Sequence, residues 1–305
     1  MRQGRPPPGA AKAAPPQGGA ASGPAEPVPR RPLGWGRGMR PVRLGALTVA
    51  MASSCAAAVS CGKPVYLSFD TGHMGVAPLV AQVLRDEQIP ATFFLANERT
   101  RTGGWSLDDQ WAPWWRELAA SPLGHAFGSH TWDHHSWLAD RPGGGFDMRP
   151  SMGPQAGQRQ VLSAAQYCAE LQRPADRFQA MTGQAMLPIF RAPGGKTSPA
   201  LLQAAQACGW QHVGWAPAGF LGDELPSDKY PNDRLLKQAL AGIRSGDVLV
   251  AHLGIWSRQD PWAPAVLAPL VQGLKARGFC FATLRDHPAY RARLAGNPAG
   301  NPAGK

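Results

Sequence analysis

Charged residues make up only 17% of this 305-residue chain, and the formal net charge of +11 is concentrated at one end. Residues 1–43 carry eight Arg and Lys against a single acid, Glu26. The remainder has a small excess of base and no basic stripe interleaved with aromatics, which argues against a nucleic-acid-binding body. No Gly-x-Ser-x-Gly occurs, so the strained nucleophile turn of a serine hydrolase is missing. No two cysteines stand in Cys-x-x-Cys spacing, which excludes a zinc ribbon. Bulky apolar side chains are nearly absent from residues 1–38, which are rich in Pro, Gly and Ala. Such a segment buries too little surface to offset the entropy of ordering and is expected to be disordered.

Runs long and apolar enough to span a membrane are also lacking. The nearest, Leu44–Val59, is short and rich in small residues, and it follows the basic stretch Met39-Arg-Pro-Val-Arg43. It reads as a secretory signal peptide, with small-residue cleavage options near Ala56–Ala58. Met39 is then a candidate start, with residues 1–38 an extension ahead of it. The expected organisation is an extension over 1–38, a signal peptide over 39–60, one folded domain over 61–292 and a flexible Gly-Asn-Pro-Ala tail over 293–305. The destination is the periplasm or cell envelope, or the medium. If Cys55 leaves with the signal, Cys61, Cys168, Cys208 and Cys280 remain, an even number suited to two disulfides in an oxidising compartment. Cys61–Cys280 pairs two predicted strand starts and Cys168–Cys208 two predicted helices. Four buried free thiols are the alternative.

From Lys63 onward, short apolar runs alternate with helical patterns. Val65–Asp70, Ala91–Leu95, His125–His130, Leu187–Arg191, His212–Trp215, Asp247–His252 and Phe279–Thr283 read as strands. Between them, sets such as Val76, Leu79, Val80, Val83 and Leu84 have helical spacing. Repeats of this kind over about 230 residues predict a parallel sheet of barrel size. The Gly- and Pro-rich stretch 138–160 is expected to be a long loop over the site, and 97–110 a second loop.

Three of the eight histidines fall in His130-Thr131-Trp132-Asp133-His134-His135. On a helical turn or a tight loop, the spacing of four puts His130 and His134 on one side. Imidazole is a common zinc ligand, although a surface cluster at a helix cap explains the same pattern. The strand ends favour a site. Asp70, His130, Arg191 and His252 each close a predicted strand, and barrels build their active sites from the C-terminal ends of several strands. Arg191 also opens Arg-Ala-Pro-Gly-Gly195, where Pro193 fixes φ, Ala192 is biased to extended geometry, and Gly194 and Gly195 permit close backbone approach.

In order and spacing these residues resemble the polysaccharide deacetylases, the NodB-homology group of carbohydrate esterases, over roughly 63–290. Ser68-Phe-Asp-Thr-Gly72 stands for the first motif, His130-Thr-Trp-Asp-His134 for the second and Arg191-Ala-Pro-Gly-Gly195 for the third. Trp215 onward stands for the fourth and Val248-Leu-Val-Ala-His252 for the fifth. The resemblance implies a distorted (β/α)7 barrel and metal-assisted removal of an N-acyl group, usually acetyl, from an amino sugar of an envelope or secreted glycan. It implies a divalent metal (zinc first, cobalt or manganese otherwise) on His130 and His134. Asp70 matches the general base, Arg191 its ion-pair partner and His252 the general acid. The expected partner is the glycan alone, and the expected state a monomer.

Two departures from the family pattern stand out. The second Asp of the first motif, a metal ligand, is Thr71 here, and the fourth motif offers no Asp before Asp223. Asp70 itself as the replacement ligand is one solution: lipid-linked aminoarabinose deformylases are similar locally, with Thr after that Asp and His-x-Trp-Asp-His-His in the second motif. His73 or Asp133 completing the shell is a second solution. The third is a degenerate site on a non-catalytic glycan-binding protein. Among the eleven tryptophans, Trp111, Trp114 and Trp115 have the spacing of a core face, whereas Trp132 and Trp256 flank site motifs and are candidates to stack on sugar. Pro193 and Gly194 are further candidate substrate contacts. His125, His212 and His287 read as structural, and His135 as lying outside the metal site.

Overall fold

The computed structural model describes residues 61–296. The extension 1–38, the signal segment 39–60 and residues 297–305 lie outside the described residues; residues 293–296, expected to open the tail, instead close a helix. In chain order the elements are β1 (Pro64–Asp70), α1 (Ala77–Asp86), β2 (Thr92–Leu95), α2 (Ala112–Ala119), β3 (Ala126–Ser129), β4 (His135–Asp140), β5 (Phe146–Pro150), β6 (Gln160–Leu162) and α3 (Ala164–Thr182). They continue with β7 (Ile189–Phe190), α4 (Pro199–Ala207), β8 (Gln211–His212), α5 (Asn232–Gly242), β9 (Val248–His252), α6 (Leu267–Ala276), β10 (Cys280–Phe281) and α7 (Pro288–Gly296).

All seven expected strands are present in one parallel, seven-stranded sheet, in which β1 pairs with three others, β2, β9 and β10. One edge of β1 bonds β10 at its start and β2 at its end, through Ala282 N–H to Val65 O (3.0 Å) and Thr71 N–H to Phe94 O (3.1 Å). The other edge bonds β9, through Tyr66 N–H to Asp247 O (3.0 Å) and Leu253 N–H to Asp70 O (2.9 Å). From β2 the sheet continues through β3 and β7 to β8. β8 and β9 do not pair with each other. The irregular segment after β8 bonds β9 instead, with Ala216 N–H to Val248 O (3.0 Å) and Leu221 N–H to Val250 O (3.2 Å).

Because side chains alternate across a strand, each strand serves two environments. Phe69, Phe93 and Phe127 stand in register on β1, β2 and β3 with ring centroids 5.6 and 5.7 Å apart, and Phe178 of α3 closes on Phe127 at 4.4 Å. This ladder belongs to the main core beneath the helices, with Trp115 buried beside it. On the opposite face, Tyr66, Phe94, Ile189, Val213 and Val248 form a smaller apolar cluster. The polar residues of the site follow at the strand ends, Asp70 four positions after Tyr66, Arg191 two after Ile189 and His252 four after Val248.

Helix ends follow the sequence. Ser163 and Gln166 make a reciprocal capping box before α3, and Gly183 ends that helix with φ 76°. Ser198 caps α4 ahead of Pro199. The expected loop over 138–160 instead carries β5 and parts of β4 and β6, paired as a three-stranded antiparallel sheet, and stays irregular over 151–159. Gly143, Gly144 and Gly145, all at positive φ, turn β4 into β5, and Phe146, Met148 and Leu162 pack with Tyr167 of α3. Turn glycines dominate the composition here and mask the strands between them.

Both expected disulfides are present, Cys61–Cys280 tying the start of β1 to β10 and Cys168–Cys208 tying α3 to the end of α4. Chain-entropy reasoning assigns a link of this kind about 2–4 kcal/mol. Replacing Cys168 and Cys208 together by Ala is expected to lower unfolding stability in urea by that amount, with the far-UV spectrum retained. An unchanged midpoint would show that the link constrains nothing.

Candidate functional site

The site gathers at the C-terminal ends of β1, β2, β3, β7 and β9. Ladder bonds run one residue past the strands and fix its backbone: His130 N–H donates to Leu95 O (2.8 Å) and Arg191 N–H to Ser129 O (2.9 Å). Gly72 allows the close approach of the first and last motifs. Its φ is 92°, and a Cβ there would lie 2.2 Å from Gly254 O.

Asp70 and Arg191 meet across the strand ends. Arg191 Nη1 donates to Asp70 Oδ1 at 2.7 Å and Nη2 to Ser68 Oγ at 2.8 Å, with the guanidinium over the Phe94 ring. Both side chains are buried. Burial pushes the Asp70 carboxyl up, but the charge of Arg191, aided by His130 and His252, outweighs it and holds the group below the ordinary carboxylate range. Ser68 passes its own proton to Leu249 O (2.5 Å), so its hydroxyl is an anchor rather than a nucleophile.

His130 to His134 form a tight turn, not a helical one, with Thr131 and His134 at φ 61° and 52°. Helix α3 pins it: Trp132 N–H donates to Glu170 O (3.0 Å) and Asp133 N–H to Glu170 Oε2 (3.2 Å). The two imidazoles lie 4.8 Å apart, centroid to centroid. His130 Nδ1 is 2.9 Å from Arg191 O, which can only accept, so Nδ1 carries the proton and Nε2 a lone pair. That Nε2 lies 3.6 Å from Asp70 Oδ2. Burial pulls the His130 pKa down to about 4, so at neutral pH the imidazole is uncharged and the contact is not an ion pair. His134 Nδ1 is engaged by the Ser151 hydroxyl at 2.6 Å.

His252 ends β9 directly opposite Asp70 in the β1–β9 register. Asp223 accepts from its backbone N–H (2.6 Å) and lies 3.1 Å from Nδ1, so this aspartate, eight residues after Trp215, orients the ring. Burial alone would lower the His252 pKa, but the Asp223 carboxylate reverses the shift and raises it to about 9. The imidazole is therefore protonated at neutral pH, while Asp70 is ionised.

These groups open on a cleft of about 220 Å³ whose lining includes Asp70, Glu98, His130, His134, Trp215 and His252. Gly194 lines it too, whereas Pro193 is buried and is not part of the lining. Two of the expected sugar contacts separate. Trp256 is 62% exposed beside Ile255 at the cleft edge, with His73 against its ring. Trp132 does not reach the cleft: the turn directs it towards α3, where Arg173 covers its ring at 4.5 Å. Its place among the aromatics of the cleft is taken by Trp215 and Phe220.

Neither His73 nor Asp133 joins the histidine pair. His73 Nδ1 accepts from Gly75 N–H (2.9 Å) and lines a neighbouring pocket, while Asp133 packs against Gly153. His135 lies 3.0 Å from Glu170, away from the cleft. Glu98, three residues beyond β2, escaped the sequence reading because it falls in the loop 97–110, although it obeys the same rule of polar residues just past a strand end.

Among the described residues, no group of three His, Cys, Asp or Glu side chains is gathered as a finished metal shell. The donor chemistry nevertheless suits a divalent cation. Two adjacent imidazoles have Nδ1 engaged and Nε2 free, the arrangement of histidine ligands held by an outer partner, and three carboxylates, Asp70, Glu98 and Glu224, line their cleft.

Residues 58–213 match the polysaccharide deacetylase family model. A chitooligosaccharide deacetylase of Azorhizobium caulinodans is 26% identical over 230 residues, covering 72% of this chain and 92% of that protein. Among solved structures, a family 4 acetyl xylan esterase from Clostridium thermocellum in complex with cobalt aligns with TM-score 0.57 and 23% identity, over 77% of this chain and 93% of that one. A CE4 family pseudoenzyme from Bacillus anthracis aligns with TM-score 0.53 and 17% identity, over 74% and 65%. These two similarities establish the fold.

The buried Asp70–Arg191 pair yields a stability prediction. Arg191→Met strands an ionised carboxylate and is expected to cost about 3–5 kcal/mol in chemical unfolding. Adding Asp70→Asn should recover part of that loss. Strictly additive losses would show that the two groups are not coupled.

Proposed function

The chain belongs to the polysaccharide deacetylase family, hydrolases of amide carbon–nitrogen bonds, and from that premise we propose that it removes an N-acyl group, acetyl in the first instance, from an amino sugar of an envelope or exported glycan. One observation carries the reading. Asp70 and His252 face one cleft from adjacent strands in opposite protonation states, the first ionised and the second protonated, beside the Nε2 atoms of His130 and His134.

Asp70 accepts the proton of the attacking water, and Arg191 keeps it ionised and aimed. His252 donates a proton to the departing amine, and Asp223 holds both its ring and its charge. His130 and His134 would hold a divalent metal, zinc with cobalt or manganese as alternatives, which when bound would polarise the amide carbonyl and make water easier to deprotonate. Trp215, Phe220 and Trp256 offer aromatic faces to sugar rings. The relative named as a chitooligosaccharide deacetylase supports N-acetylglucosamine oligomers as the first substrate. The two disulfides support an oxidising, exported location. A rival reading, glycan binding without turnover, rests on Thr71 in place of the usual ligand.

The substrate test is acid release from N-acetylglucosamine oligomers, peptidoglycan fragments and a formylated amino sugar, assayed side by side with metal-loaded protein. Tight binding with no acetate or formate released would favour the rival. The roles are separable as well. His130→Ala is expected to lose metal and turnover, and His252→Ala to lose turnover with metal retained; loss of metal in both would break the assignment. The reaction needs protonated His252, so its rate is expected to fall as pH rises through about 9. In Asp223→Asn, burial dominates and the His252 pKa falls, so the alkaline limb should move down by more than one unit. An unmoved limb would assign it to another group.

A further inference from the structure

Every buried carboxylate but one, among the described residues, meets a basic group. Asp70 has Arg191, Asp147 has Arg141 and Arg159, Glu170 has His135 and Arg173, and Asp223 has His252. Glu98 is 8% exposed and lies within 4.0 Å of no Lys, Arg or His nitrogen. It is held only by two donors on Oε1, the Thr71 hydroxyl (2.6 Å) and Gly72 N–H (2.8 Å), and Oε2 has no hydrogen bond. A buried carboxylate with no cation is costly, and proteins resolve that cost by pairing or by coordinating a metal.

Its surroundings fix both its direction and its loop. The Thr71 oxygen already accepts from Ala96 N–H (3.1 Å), so the hydroxyl proton is committed to Glu98. Glu98 N–H donates to Ser106 Oγ (2.9 Å), and Ser106 Oγ donates to Ala96 O (2.6 Å). Asn97 N–H donates to Trp132 O (2.8 Å), which ties this loop directly to the turn carrying His130 and His134. Glu98 lines the same cleft as both histidines.

We propose that Glu98 is the carboxylate ligand of the metal site, supplied from the end of β2 in place of an aspartate at position 71, and that Thr71 is the hydroxyl that orients it. Asp70, whose charge Arg191 already balances, is thereby left to act as the base. The inference rests on the reading of His130 and His134 as a metal-binding pair and adds its missing anion.

The test is binding of Co²⁺ and Zn²⁺ to the full chain, by calorimetry and by the visible spectrum of the cobalt form, with no substrate present. Glu98→Gln is expected to weaken binding more than 100-fold and change the cobalt spectrum, and Thr71→Ala to weaken it about 10–100-fold, as loss of an outer-shell partner does. Asp70→Asn should bind within a few-fold of the parent. The double variant Thr71→Asp, Glu98→Gln should recover affinity, which separates lost ligation from lost folding. Parent-like binding by Glu98→Gln while His130→Ala loses metal would overturn the role of Glu98 and leave the metal-binding pair standing. Parent-like binding by both would overturn the pair, and this inference with it.

Discussion

Asp70 and Arg191 end strands that are not neighbours in the sheet, and their ion pair crosses the interior between them. That contact constrains much of the site. A guanidinium buried over Phe94 needs every donor satisfied, and Ser68 and Asp70 supply acceptors from the inward positions of one strand. Arg191 in turn offers its carbonyl to His130 Nδ1, which selects the tautomer that exposes Nε2 to the cleft. One buried pair thus sets the ionisation of Asp70 and the availability of a histidine lone pair.

Charge compensation extends the same logic outward. Asp223 raises the pKa of His252 to about 9, against the effect of burial, so an acid faces the ionised Asp70 across one register pair. Environments that push two titratable groups apart are the usual basis for assigning acid and base in one site. Glu98 is, among the described residues, the buried carboxylate that no basic side chain meets, and it lines the same cleft as His130 and His134.

Much of this was legible in the sequence. Strand-end polarity located Asp70, His130, Arg191 and His252, because inward and outward positions alternate and a site can form only where the ladder stops. Periodicity found the parallel strands, since each has an apolar outer face such as Phe69, Phe93 and Phe127. The β4-β5-β6 sheet was hidden by the glycines that turn it. Trp132 was misplaced because its direction depends on left-handed backbone at Thr131 and on Glu170, nearly forty residues away. Glu98 was missed because a carboxylate in a loop is ordinarily solvated, and only burial distinguishes it.

Metal-dependent deacetylation is tested most directly by adding zinc or cobalt stepwise to stripped protein and measuring bound metal together with acetate release from N-acetylglucosamine oligomers. The expected result is a rate that rises in proportion to metal bound and stops rising at one ion per chain. Full activity in the stripped protein, or no acetate released at one bound ion per chain, would contradict it.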